Sequence, residues 1–417
     1  MERLKKINNH KITSLLFWLC WFAYFTSYIG RLNYSSAMTA MIQEDVLTKS
    51  QAGFISMMYF GAYGIGQLCN GILGDRMHPG KMIFIGLSVA SAANMIMGFL
   101  GNNYLMALIW GINGYAQAMI WPPIIRIFSE MLKSEQKMKF CIDIVSSQVV
   151  GTLASYLIAA VVIWIIGWKA VFGTAAICLA VIALIWYYGF GKVERYSRKF
   201  GSDVEENNRK KSQIEEQIKF SDLLLHTGLL AVLVPVIVHG VLKDGVTTWV
   251  PTFITENFFT SPSFSILITT VLPIINLTGA YAARYVFKKC GEREVMASVV
   301  FFGIANISLI GICFVKGSSI VLTVILFAVI TASMMAVNTL FVNIFALRFE
   351  SVGRVATVSG LLNSMAYLGT AISTFTIGVM VEKLGWNLTI GSWVAVTAVA
   401  LILCIKYRKC KYCIAQF

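Results

Sequence analysis

Hydrophobic residues in this chain come in long unbroken runs rather than in alternation. Runs of about twenty or more mostly apolar residues recur from end to end, each closed by a polar stretch. That length suits a helix crossing ~30 Å of hydrocarbon at ~1.5 Å per residue. Twelve spans are predicted, at roughly 12–42, 50–73, 81–101, 104–127, 140–166, 169–190, 222–254, 263–287, 295–315, 318–346, 352–380 and 386–406. The strands of a membrane barrel would alternate apolar and polar positions, so that class is excluded. The expected fold class is an all-α membrane protein of twelve transmembrane helices. The first run is too long for a cleaved leader and no small-residue cleavage site follows it, so it is expected to be retained.

Composition agrees: 57% of the residues are hydrophobic and 13% charged, against about 25% charged in a soluble domain. A net charge of +14 would suit a nucleic-acid partner, but the positions of the charges point to topology instead. Arg3, Lys5, Lys6 and Lys11 precede the first span, and the even loops and C-terminus are rich in Lys and Arg. The odd loops hold only Lys49, Lys169, Lys316 and Lys383. This is the positive-inside pattern, with both termini cytoplasmic and a side attraction to anionic lipid. No nucleic acid is expected as a partner. The nine cysteines lie mostly within spans, where they act as small apolar residues. Cys410-x-x-Cys413 on the tail has no second ligand pair, so free thiols are expected, with no metal and no cofactor.

Residues 191–221 form the longest polar stretch, charged and without an apolar stripe, and are read as a cytoplasmic linker. They divide an N-terminal six-helix bundle, 1–190, from a C-terminal bundle with its tail, 222–417. The halves echo each other. GILGDRMHPGK at Gly71–Lys81 is matched by GAYAARYVFKK at Gly279–Lys289, and VVGTLAS at Val149–Ser155 by YLGTAIS at Tyr367–Ser373. Two pseudo-symmetric bundles follow.

Two cations remain inside spans: Arg31 in the first and Lys243 in the seventh, 212 residues apart. Between Lys11 and Glu44, Arg31 is the sole charge. A charge near the bilayer centre costs at least ~2.5–3.5 kcal/mol on insertion scales, so it faces a partner or a wet cavity. A structural ion pair is one explanation, with Asp244 a candidate acid, although Asp244 follows Lys243 and stands about 100° round an α-helix from it. Two unpaired cations at one depth in the two halves instead suggest an anion site at their interface. Arg offers a bidentate fork and Lys a point charge. Tyr24, Tyr28, Arg31 and Ser35 share one helical stripe, as do Tyr59, Tyr63 and Gln67, and His239, Lys243 and Thr247. His239 and Asp244 are candidates for proton coupling. Gly61, Gly64, Gly66, Gly360 and Gly369 are expected to permit close helix packing.

GILGDRMHPGK resembles the loop 2–3 signature of the major facilitator superfamily. QAMIWPPIIR at Gln117–Arg126, the Arg31 segment, KDGVTTWVPT at Lys243–Thr252 and AYLGT at Ala366–Thr370 are similar to the organophosphate:phosphate antiporter family within it. That family includes the glycerol-3-phosphate and hexose-phosphate transporters, and the similarity covers most of the chain. It implies the major facilitator fold and a phosphate site built on two arginines. Arg31 matches the first, and Lys243 replaces the second. The family's helix-two lysine falls at Gln67 and its helix-five histidine at Ser147, a less basic set. Gln117, Trp121, Asn363 and Tyr367 join the candidate binding residues. The resemblance gives Asp75, Arg76, Lys81, Arg126 and Arg284 a gating or structural role at the cytoplasmic end, with Asp75 meeting Arg126. Ala283 stands where the second half would carry its acid.

The expected function is secondary active transport of a small organic anion, most simply an organophosphate exchanged for inorganic phosphate by alternating access. The alternative is proton-coupled symport of a carboxylate or other anionic metabolite. A non-transporting sensor of such an anion comes behind both. No nucleophile–base set, metal cluster or phosphate-cradling loop speaks for an enzyme or a pump. A monomer in a bacterial plasma membrane is expected.

Overall fold

The computed structural model describes residues 5–201, 229–315, 317–346, 348–349 and 355–407. Among the described residues, every regular element is helical. The first half comprises α1 (His10–Gln43), α2 (Lys49–Arg76), α3 (Pro79–Met97), α4 (Asn103–Gln117), α5 (Trp121–Met131), α6 (Ser134–Asp143), α7 (Val145–Ile165) and α8 (Trp168–Phe200). The second comprises α9 (Leu229–Gly240), a π-helical turn (Val241–Val246), α10 (Thr247–Phe258), α11 (Pro262–Thr269), α12 (Val271–Lys289), α13 (Glu294–Val315), α14 (Ile320–Asn338), a second π-helical turn (Thr339–Phe345) and α15 (Val355–Tyr407).

Nine helical stretches among the described residues are long and apolar enough to cross a membrane. The predicted second and fourth spans are α2 and the pair α4–α5. A turn at Ala118–Ile120 separates that pair, and α5 restarts at Trp121-Pro122-Pro123, where prolines lack the N–H an interior position needs. The eleventh and twelfth spans run together as α15, which turns at Gly385 (φ +75°), a left-handed conformation that favours glycine.

Side chains cap the orphan donors of several helices. Asn9 accepts from the Lys11 N–H, Asn102 from those of Tyr104 and Leu105, and Ser319 from that of Leu322, as helix starts require. The sixth span outruns its predicted end. α8 stays helical to Phe200, ten residues into the stretch read as linker. Phe190, Val193 and Ser197 are buried along one face there, and the Ser197 hydroxyl donates to the Lys5 carbonyl at 2.7 Å. Residues 202–221 of that stretch, and Cys410 and Cys413, lie outside the described residues.

Contacts group the chain into two units, Met1–Leu47 with Met58–Glu206 and Pro262–Leu267, and Thr48–Met57 with Asn207–Ser261 and Ile268–Phe417. In the first, α1 packs against α7 and α8, and α3 against α4 and α8. The half of α1 from Thr26 to Met41 is buried almost all round, the signature of a core helix. In the second, α9 packs against α15, and α14 against α12 and α13.

The repeat read in the sequence has a physical counterpart within each unit. A Cβ on Gly151 of α7 would sit 2.6 Å from the Phe25 carbonyl oxygen of α1, and one on Gly369 of α15 would run into the Ile237 carbonyl of α9. Ile237 follows Phe25 by the offset that separates Lys243 from Arg31. Each glycine lets the fifth helix of its half touch the backbone of the first. Gly66 likewise abuts Ala118, whereas a Cβ on Gly360 would meet open space, so the packing role expected of Gly360 is corrected.

Candidate functional site

The first unit holds Arg31 at 8% exposure, midway along buried α1. Its guanidinium lies 4.6 Å from the centroid of the Tyr63 ring, 5.5 Å from Tyr28, 5.6 Å from Phe60 and 5.9 Å from Tyr59. Ring faces attract a cation, by ~0.5–2 kcal/mol each according to desolvation. The surroundings of Arg31 therefore favour its charge, and a guanidinium is a planar fork of the kind that can pair with a carboxylate or phosphate in two parallel hydrogen bonds. Tyr24 joins the group: its hydroxyl is 3.4 Å from that of Tyr28, and its ring is 4.6 Å from Trp121. Five predicted residues, Tyr24, Tyr28, Arg31, Tyr63 and Trp121, thus lie together. Phe60 was missed.

A second feature was also missed, a buried amide network behind Arg31. The Gly30 carbonyl accepts from Asn94 Nδ2 at 3.1 Å and from Asn113 Nδ2 at 3.0 Å. Asn33 donates to Asn94 at 2.7 Å, and Gln117 to Asn113 at 3.1 Å. A carbonyl that already accepts from its own helix holds two further donors here, which fixes the height and rotation of α1 at the residue before Arg31. Gln117, read as a ligand contact, is part of this support. Ser147 is fully buried and donates to the Ile144 carbonyl at 2.6 Å, so its hydroxyl proton is spent on its own helix. Gln67 is half-buried, one turn past Tyr63 on α2.

The second unit places Lys243 and Asp244 on the π-helical turn. Lys243 Nζ sits 3.2 Å from Asp244 Oδ2 and 3.3 Å from Oδ1, with side-chain exposures of 16% and 27%. Of the alternatives left open for Lys243, the structure shows an ion pair with the next residue. The two stand on successive positions of the turn, and the long flexible lysine side chain reaches the neighbouring carboxylate. A π turn bonds i to i+5 and is wider, so successive side chains diverge somewhat less than the ~100° of an α-helix. Thr247 and Thr248 donate to the carbonyls of Lys243 and Asp244, satisfying acceptors that a change of helical pitch leaves in poor register. Gly240 abuts the Ala366 backbone of α15, its carbonyl accepts from Thr370 at 3.0 Å, and Gly245 meets Ser373. The turn is thereby held against α15 at both of its ends.

His239 is 2% exposed, and neither ring nitrogen has a hydrogen-bond partner among the described residues. Burying such a group unsatisfied is costly, and it lies one turn before Lys243. Asn363 and Tyr367 are half-buried on α15.

Of the expected gating residues, the side chains of Asp75 and Arg76 lie outside the described residues. Arg126 bonds Glu130 at 2.7 Å and the Met77 carbonyl at 3.0 Å, which ties α5 to the loop after α2. Lys81 and Arg284 are exposed. The second half has an acid–base pair that sequence reasoning missed. Glu294, 3% exposed, takes Arg348 in a two-pronged bridge, with Nε at 2.8 Å from Oε1. At the other end of the spans, Glu256 accepts from Lys49 Nζ at 3.0 Å and from Trp386 Nε1 at 2.8 Å.

A family profile described as Major Facilitator Superfamily matches residues 20–374. The chain is 24% identical over 407 residues to a probable hexose phosphate transport protein of Chlamydia muridarum, covering 93% of this chain and 88% of that one. It is 23% identical to the glycerol-3-phosphate transporter of Bacillus subtilis, covering 86% and 84%. In fold it is similar to a bacterial homologue of the human lysosomal transporter Spinster, with a TM-score of 0.78, 12% identity and coverage of 96% and 97%.

Proposed function

The chain belongs to the Major Facilitator Superfamily, and from that premise we propose that it exchanges an organophosphate for inorganic phosphate across a bacterial plasma membrane. As a member it is a multi-pass membrane transporter rather than an enzyme. The observation that carries the finer reading is Arg31, a buried guanidinium ringed by aromatic faces within 6 Å. The names of the curated relatives, hexose phosphate and glycerol-3-phosphate transporters, support the same substrate class. Arg31 binds the phosphoryl group with its fork, and Lys243 is a further candidate for substrate binding. Inorganic phosphate, sharing that group, serves as counter-substrate. Loaded with either anion the protein presents the site alternately to the two faces. It works as a monomer, with both termini in the cytoplasm.

A second reading, proton-coupled symport of another small anion, draws on one observation, the unsatisfied buried His239. Uptake of labelled inorganic phosphate into proteoliposomes preloaded with phosphate tests the first. Arg31→Ala is expected to lower exchange by roughly thirtyfold or more, as loss of a buried charge pair costs ~2–5 kcal/mol. Arg31→Lys keeps the charge and loses the fork, so exchange at the wild-type rate in that variant rules out two-pronged recognition. Absence of exchange in folded wild type, with uptake driven by an inward proton gradient, moves the assignment to symport.

A further inference from the structure

The last ten residues of α8 run past the predicted end of the sixth span, and their charges are sorted by face. On a helix turning ~100° per residue, Leu179, Ile182, Trp186, Phe190, Val193 and Ser197 fall on one side, and all are buried. The opposite side carries Val181, Leu184, Ile185 and Tyr188, all exposed. On a spanning helix such a stripe faces lipid tails, which are as apolar as leucine. In the same register the stripe continues as Lys192, Arg195 and Lys199, again exposed. We propose that these three residues form a binding surface for the phosphodiester headgroup of an anionic phospholipid in the cytoplasmic leaflet. Its occupancy does not depend on which anion the protein carries.

Height and direction support it. α8 has 33 residues, or ~50 Å at ~1.5 Å each, against ~30 Å of hydrocarbon. Counted from Lys169, ~20 residues bring the helix to the far edge of the hydrocarbon near Tyr188. Tyr187 and Tyr188 are exposed there, as the aromatic belt of an interface is. The Cα of Lys192 then stands ~6 Å beyond that edge, that of Arg195 ~10 Å and that of Lys199 ~16 Å. Helical side chains lean toward the N-terminus of their own helix and cover the preceding turn. In the orientation proposed above α8 runs toward the cytoplasm, so the lean carries each charge back toward the bilayer by about a turn, ~5 Å. Arg195 shows it directly, its Nε donating to the Gly191 carbonyl at 3.1 Å. Lys192 and Arg195 thereby enter the headgroup layer, ~5–8 Å thick on each side, with Lys199 at its outer edge.

Charge and rigidity agree. Glu194 is the only acidic residue of 191–200, and it is turned to the other side of the helix. Its Oε1 holds His78 Nε2 at 3.0 Å and Arg198 at 2.8 Å. The lipid-facing stripe therefore ends in three basic residues with no acid among them. A lysine or arginine close to an anionic leaflet raises affinity by about fivefold. The segment is also held from within, so the surface is presented on a fixed helix. Ser197 Oγ accepts from the Lys5 N–H at 3.0 Å, and Trp186 Nε1 donates to the Gly80 carbonyl at 2.9 Å.

The test uses full-length protein purified in an uncharged detergent. Phosphatidylglycerol or phosphatidylcholine is added as mixed micelles, and the melting temperature is the readout. Wild type is expected to be stabilised at a lower mole fraction of phosphatidylglycerol than of phosphatidylcholine. Lys192→Gln/Arg195→Gln is expected to raise the half-saturating mole fraction of phosphatidylglycerol by about tenfold or more, and Lys192→Arg/Arg195→Lys to leave it within about twofold of wild type. Lys133→Gln/Arg293→Gln removes the same charge from two exposed connections outside α8, and is expected to leave it near wild type. Equal losses in the two glutamine pairs would make net charge the cause and overturn the surface, as would a wild type that does not distinguish the two lipids. Dimethyl phosphate, a phosphodiester without acyl chains, is expected to affect wild type and Lys192→Gln/Arg195→Gln alike. A difference as large as with phosphatidylglycerol would move the ligand from lipid to solution and overturn the proposal. Should the double variant fail to fold, Lys192→Gln and Arg195→Gln are titrated singly, each with an expected loss of about fivefold. No loss in either overturns the proposal.

Discussion

A guanidinium with four rings around it gains from their faces, and that has a measurable consequence at Tyr63, the nearest ring at 4.6 Å. Tyr63→Leu removes one cation–π contact of ~0.5–2 kcal/mol, so the KM for phosphate exchange is expected to rise by roughly two- to thirtyfold. Tyr63→Phe keeps the face and loses only the hydroxyl, and is expected to stay within about twofold of wild type. Exchange kinetics for the pair decide the matter: equal losses in both would make the hydroxyl, not the ring, the operative group. Arg31 was legible in the sequence because no other charge lies between Lys11 and Glu44, and Tyr28 and Tyr63 because helical spacing marks them. Phe60 was not, since an apolar residue in an apolar span carries no signal. Asn94 and Asn113 were invisible for another reason. Asn94 is the lone amide of α3 and Asn113 one of three in α4, and only tertiary packing brings both to the Gly30 carbonyl.

At the level of elements, the π-helical turn accounts for what the sequence misled on. Hydropathy reads Val232–Phe258 as one continuous span, and nothing in apolar periodicity registers a widened turn within it. A uniform ~100° step stands Asp244 apart from Lys243, so the sequence names Asp244 as a candidate acid without fixing the pairing. Gly240 and Gly245 were the available clue, because small residues flanking a charged pair allow a neighbouring helix to press on the backbone. Gly240→Ala is accordingly expected to destabilise. Its Cβ would collide with the Ala366 backbone and prise Thr370 from the Gly240 carbonyl, an overpacking cost of ~1–3 kcal/mol. Gly303→Ala on α13, where a Cβ meets nothing within 4 Å, is expected to be neutral or stabilising, since alanine gains up to ~1 kcal/mol over glycine within a helix. Apparent melting temperatures in one detergent compare the two substitutions. A common sign for both would show that helix propensity, not the contact with α15, dominates at Gly240.

For the whole molecule, the twelve-span plan was readable because hydrophobic length is set by the bilayer, not by the packing of neighbours. Helix ends were less readable where tertiary contacts extend them, as Phe190, Val193 and Ser197 carry α8 past its expected stop. The orientation rests on charge placement alone. Basic residues crowd the even loops and both termini while the odd loops carry four, and translocating a cluster of such charges is opposed. One prediction puts that reading at risk. A protease site inserted after Asn207, in the polar stretch GSDVEENNRKK, is expected to be cut when enzyme is added to inverted membrane vesicles and to survive when it is added to intact spheroplasts. Two fragments near half the 46.1 kDa chain would then report a cytoplasmic connection between two six-span halves. Cleavage in spheroplasts alone would reverse the topology, and would place the Lys49–Glu256 contact on the cytoplasmic side and Arg126 and Arg348 outside. Cleavage from both sides would mean mixed insertion, the outcome that the strong loop bias makes least compatible with this sequence, since each added basic residue raises the cost of the inverted form.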